Sequence, residues 1–205
     1  MMPKIQAPTV DEHRAMQTRK LVDAAEALLR ESNGRHLSGG AVAVKAGMAR
    51  NSIYRYVQSV DELRLLVLER NIPLWRAQVM QDINMNGTPA ERLAEIVAAC
   101  IRQSAEGSSH QWLMGLMRNS GGKPVRKEAE NKVARKVASV HNFFDDMLNK
   151  CWKDLGVAHP DVWASFTRAI IVDGFKQIEH GATPAIVCST AKNAVLLMTN
   201  EQKGD

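Results

Sequence analysis

Apolar residues recur along this chain at intervals of three and four, and almost nowhere at intervals of two. Leu21, Ala24, Ala25, Leu28 and Leu29 follow the i, i+3, i+4, i+7, i+8 order of a helix that buries one face. The stripe predicts a helix over about 10–33. Thr9-Val-Asp-Glu12 has the form of a capping box at its start, and Asn33-Gly34 suits the left-handed turn at its end. Short helices follow at about 38–46 and 50–57, then a longer one at about 60–85 that Pro73 must kink or interrupt. Thr88-Pro89-Ala90-Glu91 combines an N-cap, a first-turn proline and a capping acid, so the next helix spans about 88–105. Ser108 or Ser109 can cap another, through Arg118, and Asn119 to Lys123 forms a loop. Pro124 starts a long helix to about Leu155, stopped by Gly156; Pro160 starts the next, ending before Gly181, and Thr183-Pro184 opens the last, to about Asn200. The expected class is all-α, with about nine helices and no internal repeat.

Composition narrows the picture a little. The chain has 205 residues, enough for one large domain or two modest ones; 45% are apolar and 24% charged, which is ordinary for a globular protein. No apolar run reaches the length of a spanning helix, and the N-terminal stretch lacks a signal-peptide core, so a cytoplasmic protein without a membrane partner is expected. Three cysteines, Cys100, Cys151 and Cys188, are odd in number and widely spaced, the pattern of reduced thiols rather than of a disulfide framework or zinc ribbon. The net charge of +5 is unevenly spread: residues 1–64 carry ten Lys/Arg against seven Asp/Glu. A mildly basic N-terminal third suits an anionic partner without requiring one.

Residues 38–57 are the most informative stretch. Ser38 can cap the first short helix, Val42, Ala43 and Ala46 can pack inward, and Gly47 supplies the reversal needed where two helices meet steeply. In the second helix Ile53 and Val57 define the buried direction. Arg55 then points nearly opposite, Asn51 and Ser52 lie beside it, Tyr54 and Tyr56 fall on the flanks, and Arg50 sits at the start. Arginine and asparagine can read guanine and adenine edges by paired hydrogen bonds, and tyrosine hydroxyls can hold phosphates. Gly39 and Gly40 add backbone N–H groups that a phosphate can approach closely. Geometry alone leaves a DNA-reading helix-turn-helix and an ordinary pair of packing helices about equally matched.

The wider order of residues separates them. Arg19-Lys-Leu21-Val22-Asp23-Ala24-Ala25, Ser38, Ala46-Gly47-Met48-Ala49-Arg50-Asn51-Ser52-Ile53-Tyr54-Arg55-Tyr56-Val57 and Ser59-Val60-Asp61-Glu62-Leu63 stand in one order and spacing over about residues 15–65. This pattern resembles the N-terminal module of the tetracycline-repressor (TetR-like) family of transcriptional regulators. Three positions depart from it. Ala49 stands where the family favours a capping serine, Asn51 where glycine is common, and Val60 where a phosphate-touching lysine is frequent.

The resemblance implies a helix-turn-helix DNA-binding domain at 10–60 and a helical ligand-binding and dimerisation domain at 61–205. It implies a homodimer that binds a double-stranded DNA operator and is released by a small-molecule effector. The implied DNA contacts are Ser38, Gly39, Arg50, Asn51, Ser52, Tyr54, Arg55 and Tyr56. The dimer seam is expected on the last two helices, at Val162, Phe166, Ile170, Val187, Ala191 and Val195. The ligand is expected near Trp112, Leu113, Leu116, Met117, Phe143, Met147 and Asp173. Trp75, Met80, Phe144 and Trp163 are further wall candidates, and His110, His141 and Arg118 candidate polar contacts. Asp173 draws notice because it interrupts the apolar run Ala169–Phe175, where a charge needs a partner or water.

Other chemistries find no support. Ser120-Gly-Gly-Lys123 hints at a phosphate loop, but that motif needs glycine at 117 and a hydroxyl residue at 124, occupied by Met117 and Pro124. The six histidines form no H-E-x-x-H pair and no G-x-S-x-G occurs, so no catalytic residue, metal or cofactor is expected and the chain is not read as an enzyme. The Lys/Arg-rich run from Arg118 to Lys136 reads as a solvated helix face. A second reading remains: a helical small-molecule-binding or scaffold protein that keeps the fold without operator binding.

Overall fold

A computed structural model describes residues 9–105, 110–118, 122 and 124–201. Among them are eight α-helices and one 3-10 helix, with no strand. The helices are α1 (Val10–Glu31), α2 (Gly39–Lys45), the 3-10 helix Arg50–Arg55, α3 (Val60–Asp82), α4 (Pro89–Ser104), α5 (His110–Arg118), α6 (Lys127–Asp154), α7 (Pro160–Glu179) and α8 (Pro184–Glu201). The suggested caps at Ser108 and Ser109, and all of the 119–123 loop except Gly122, lie outside the described residues.

The chain divides into two compact units: residues 1–70 with 115–133, and residues 71–114 with 134–205. In the first, Leu21, Ala25 and Leu29 of α1 are fully buried, as are Val42, Ile53, Val57, Leu63 and Val67. Both halves of the Thr9 capping box form: Glu12 N–H donates to Thr9 Oγ1 (3.2 Å) and Thr9 N–H to Glu12 Oε2 (2.7 Å). Asn33 and Gly34 take the left-handed conformation at the end of α1, with φ of 49° and 77°. The buried Arg64 of α3 clamps that turn, donating to the carbonyls of Gly34 (2.8 Å) and Arg35 (3.0 Å).

Pro73 makes no break in its helix, and one expected boundary moves. α3 continues through Pro73 without interruption. Pro73 and Leu74 lie on the exposed side, while Asn71, Ile72, Trp75 and Val79 are buried, so the ring meets solvent and packing on the other face holds the helix. α6 begins at Lys127 rather than Pro124, because the Arg126 carbonyl is the first to accept a helical bond, from Glu130 N–H (3.2 Å).

In the second unit α4 is the central element, with buried residues on nearly every side from Ala90 to Ser104. Its Thr88–Glu91 capping box forms as the sequence suggests. α7 and α8 both pack on α4. Gly174 permits the α4–α7 approach, since a Cβ there would lie 2.6 Å from Ile101 Cδ1. Trp152 is fully buried, stacks on Trp163 at 5.2 Å and donates from Nε1 to Thr167 Oγ1 (2.9 Å).

Candidate nucleic-acid interface and ligand cavity

The 38–57 stretch folds as two short helices about a left-handed Gly47, φ 65°. Ser38 caps α2, accepting from Ala41 N–H at 3.2 Å. The second helix is two turns of 3-10 helix, shorter and tighter than the expected 50–57 helix. Its N-cap Ala49 makes no side-chain hydrogen bond, which leaves the helix without the cap that serine would supply. Ile53 and Val57 are fully buried and fix its rotation. Arg50, Asn51, Tyr54 and Arg55 are exposed, Ser52 and Tyr56 half-buried. One polar face thus stands clear of a firmly anchored apolar one.

Three further contacts hold this element, and none is apparent from local sequence. A Cβ at Gly39 would lie 2.7 Å from Tyr54 Oη, so only glycine lets the phenol rest against the start of α2. Arg126 Nη2 donates to the Tyr56 carbonyl (3.0 Å), taking up a backbone group at the end of the 3-10 helix. Arg126 Nε also lies 3.5 Å from Oε1 of the buried Glu62, whose other oxygen accepts from Gln58 N–H. Lys132 likewise pairs with Glu69 (3.3 Å). The basic run is therefore partly a set of structural pairs rather than a wholly solvated face; the sequence signal that could have found them is the acidic Glu62 and Glu69 spaced one heptad apart.

In the second unit, a cavity of about 300 Å³ is bordered by residues of α3, α4, α5, α6 and α7. Trp75, His110, His141 and Phe144, all candidates from the sequence, line it, with Cys100, Asp145, Leu148, Arg168, Ile171, Val172 and Phe175 completing the wall. His110 stacks on Phe175 (4.2 Å), and Trp75 sits 5.6 Å from His110 and 5.7 Å from Phe144. Arg168 and Asp145 pair at its exposed rim at 2.6 Å. Burial pushes the Cys100 thiol up to about 12.

The other ligand candidates fall elsewhere. Trp112, Leu113 and Leu116 are buried, Met117 is exposed, Phe143 and Met147 are half-buried, and none of the six borders this cavity. Phe143 instead carries the Arg76 guanidinium over its ring at 4.7 Å. Asp173 is exposed and accepts from Gln177 Nε2 at 3.4 Å, so solvent and a neighbour on its own helix satisfy it.

An apolar groove of about 800 Å³ runs between α7 and α8. Phe166, Ile170, Val187 and Ala191 line it, as do Asp173 and Trp163. Val162, Phe166, Ile186 and Leu197 are 47%, 60%, 64% and 66% exposed, an unusual density of open apolar side chains on two helices. Two of the six seam candidates, Val195 (fully) and Ala191 (7% exposed), are buried within the unit. Among the described residues no cluster of three His, Cys, Asp or Glu side chains is placed to hold a metal, and no helix is long and apolar enough to cross a membrane.

Solved structures share this arrangement over nearly the whole chain. A TetR-like transcriptional regulator from Rhodococcus sp. RHA1 aligns with a TM-score of 0.61 and 15% identity, covering 98% of this chain and 100% of its own. The transcriptional regulator FadR from Bacillus subtilis, solved with stearoyl-CoA, aligns at 0.59 and 16% over 87% and 97%. The superantigen PfiT aligns at 0.61 and 16% over 88% and 95%. No family model and no curated relative matches the sequence. The chain has the all-helical fold of the TetR-like transcriptional regulators.

Proposed function

We propose that this protein is a ligand-responsive transcriptional regulator, a repressor by mode, that binds operator DNA as a homodimer. The observation that carries the proposal is the 3-10 helix Arg50–Arg55, which buries Ile53 completely while exposing Arg50, Asn51, Tyr54 and Arg55. A helix held this way can enter a major groove, with Arg55 and Asn51 toward base edges. Ser38, Gly39, Ser52, Tyr54 and Tyr56 stand beside it for the phosphates. The α7–α8 groove takes a second copy of the chain, and the dimer sets two such helices against half-sites one helical turn, about 34–36 Å, apart. An effector bound in the cavity releases DNA only through different affinity for the DNA-competent and DNA-incompetent arrangements.

The test is a gel-shift on the DNA upstream of the protein's own gene, with salt varied. Sequence-selective retardation that weakens steeply with salt supports the reading. Arg55→Ala should lower affinity for the cognate site by about 5- to 100-fold and leave random DNA little changed. Retardation that is equal for cognate and random DNA in the unaltered protein would contradict operator recognition. The shared fold of PfiT favours keeping a second outcome in view, a helical binding or scaffold protein with no operator at all.

A further inference from the structure

One buried donor in the wall of the aromatic cavity is left without an acceptor. Trp75 lines it, is 6% exposed, and its Nε1 is fully covered with no hydrogen-bond partner. Most buried indole N–H groups find an acceptor, so an orphan in a cavity wall is a specific deficit. At the rim Arg168 has five N–H donors and commits Nη1 to Asp145 (2.6 Å), with a longer contact from Nη2 to Ser165 Oγ (3.4 Å). Asp145, the one carboxylate among the described lining residues, already accepts from that guanidinium. The body of the wall is aromatic, with His110 stacked on Phe175 and Trp75 tilted against both His110 and Phe144, a surface that suits a flat ring. The volume is about 300 Å³, roughly twice an apolar cavity known to hold benzene, so about ten to fifteen non-hydrogen atoms fit.

We infer that the effector is a compact, flat, largely apolar molecule carrying a hydrogen-bond acceptor, a carbonyl or a carboxylate, which Trp75 Nε1 receives. This rests on reading the second unit as an effector-binding domain. Because Nε1 is covered, the acceptor reaches it after a small turn of the adjoining rings, which couples occupancy to movement of side chains on α3, α5 and α6.

The experiment is titration calorimetry of the full chain, without DNA, against acetonaphthone, naphthoate and ethylnaphthalene, which share a ring system and differ in the acceptor. At least one of the first two should bind about fivefold or more tighter than ethylnaphthalene, and Trp75→Phe should bring that ratio close to one. Which of the two gains separates a neutral acceptor from an anionic one. Indole N–H resonances of the unaltered protein supply a readout that needs no variant. One should move downfield with the favoured probe and stay in place with ethylnaphthalene. Equal binding of all three, no binding of any, a ratio that survives Trp75→Phe, or tight binding of stearoyl-CoA alone would overturn the inference. Since no DNA is present, failure here leaves the gel-shift result standing, and failure there leaves these titrations standing.

Discussion

Arg64 shows how one side chain, invisible to local pattern, can set the geometry of the first unit. It is 5% exposed and spends its donors on the Gly34 and Arg35 carbonyls, about thirty positions back, with Asp61 3.9 Å away. Burial lowers its pKa and the Asp61 charge opposes that, so the guanidinium remains charged at ordinary pH. Removing it takes a buried donor away from two turn carbonyls. Arg64→Met should therefore cost about 2–4 kcal/mol, read as a lower urea midpoint with an unchanged slope. Cys100 is legible as a buried thiol from its apolar surroundings, but the size of its shift is not. Its neutral form is favoured in the fold, from an ordinary value of 9.0 up to about 12. The stability it contributes is complete below pH 9 and is lost as pH rises through about 12. The denaturation midpoint of the wild type should thus fall faster than that of Cys100→Ala between pH 9 and 11, with parallel curves below pH 8. Parallel curves throughout would refute the assignment.

At the scale of elements, what could be read was what is local. The Thr9–Glu12 and Thr88–Glu91 boxes, the left-handed Asn33-Gly34 and the proline starts at 89, 160 and 184 each depend on residues within one turn, and each forms. Pro73 does not interrupt α3, since what a proline does depends on the face it occupies, a property of the packed helix. Arg126, just before α6, reaches the Tyr56 carbonyl seventy positions away, a contact no local pattern shows. The cavity was legible only at its secondary candidates, for a related reason, and none of the seven expected ligand contacts borders it. Trp75, His110, His141 and Phe144 stand out as large or titratable, but an apolar stripe does not say which of its members face a void. The uncapped 3-10 helix offers a prediction at this scale. Ala49 already has extended backbone, φ −66° and ψ 140°, as an N-cap requires. Ala49→Ser should therefore stabilise the first unit by about 0.5–1 kcal/mol, seen as a higher thermal midpoint. Affinity for DNA should rise or hold; a lower midpoint would show that the Ala49 side chain packs where no polar atom is tolerated.

For the whole molecule, the decisive question is what covers the α7–α8 face. Phe166 is 60% exposed and Ile186 is 64% exposed, both beside the groove between the two helices. Apolar side chains this open are costly to leave in water, at about 25 cal/mol per Å², and a twofold pairing of identical faces would bury them symmetrically. Because Phe166 makes little use of the interior of its own chain, a charge there should scarcely affect folding, so the effect of Phe166→Glu falls on association alone. The variant should sediment as a monomer at concentrations where the wild type is a dimer, with a thermal midpoint within a few degrees once concentration dependence is allowed for. Each chain would still carry a complete 3-10 helix and a complete aromatic cavity. Operator affinity should then fall by two or more orders of magnitude, since half-sites are bound one at a time, while small-probe binding is unchanged. A variant that stays dimeric would place the interface on another surface. A variant that is monomeric yet retains full operator affinity would mean that a single module suffices, and the paired half-site geometry would have to be abandoned.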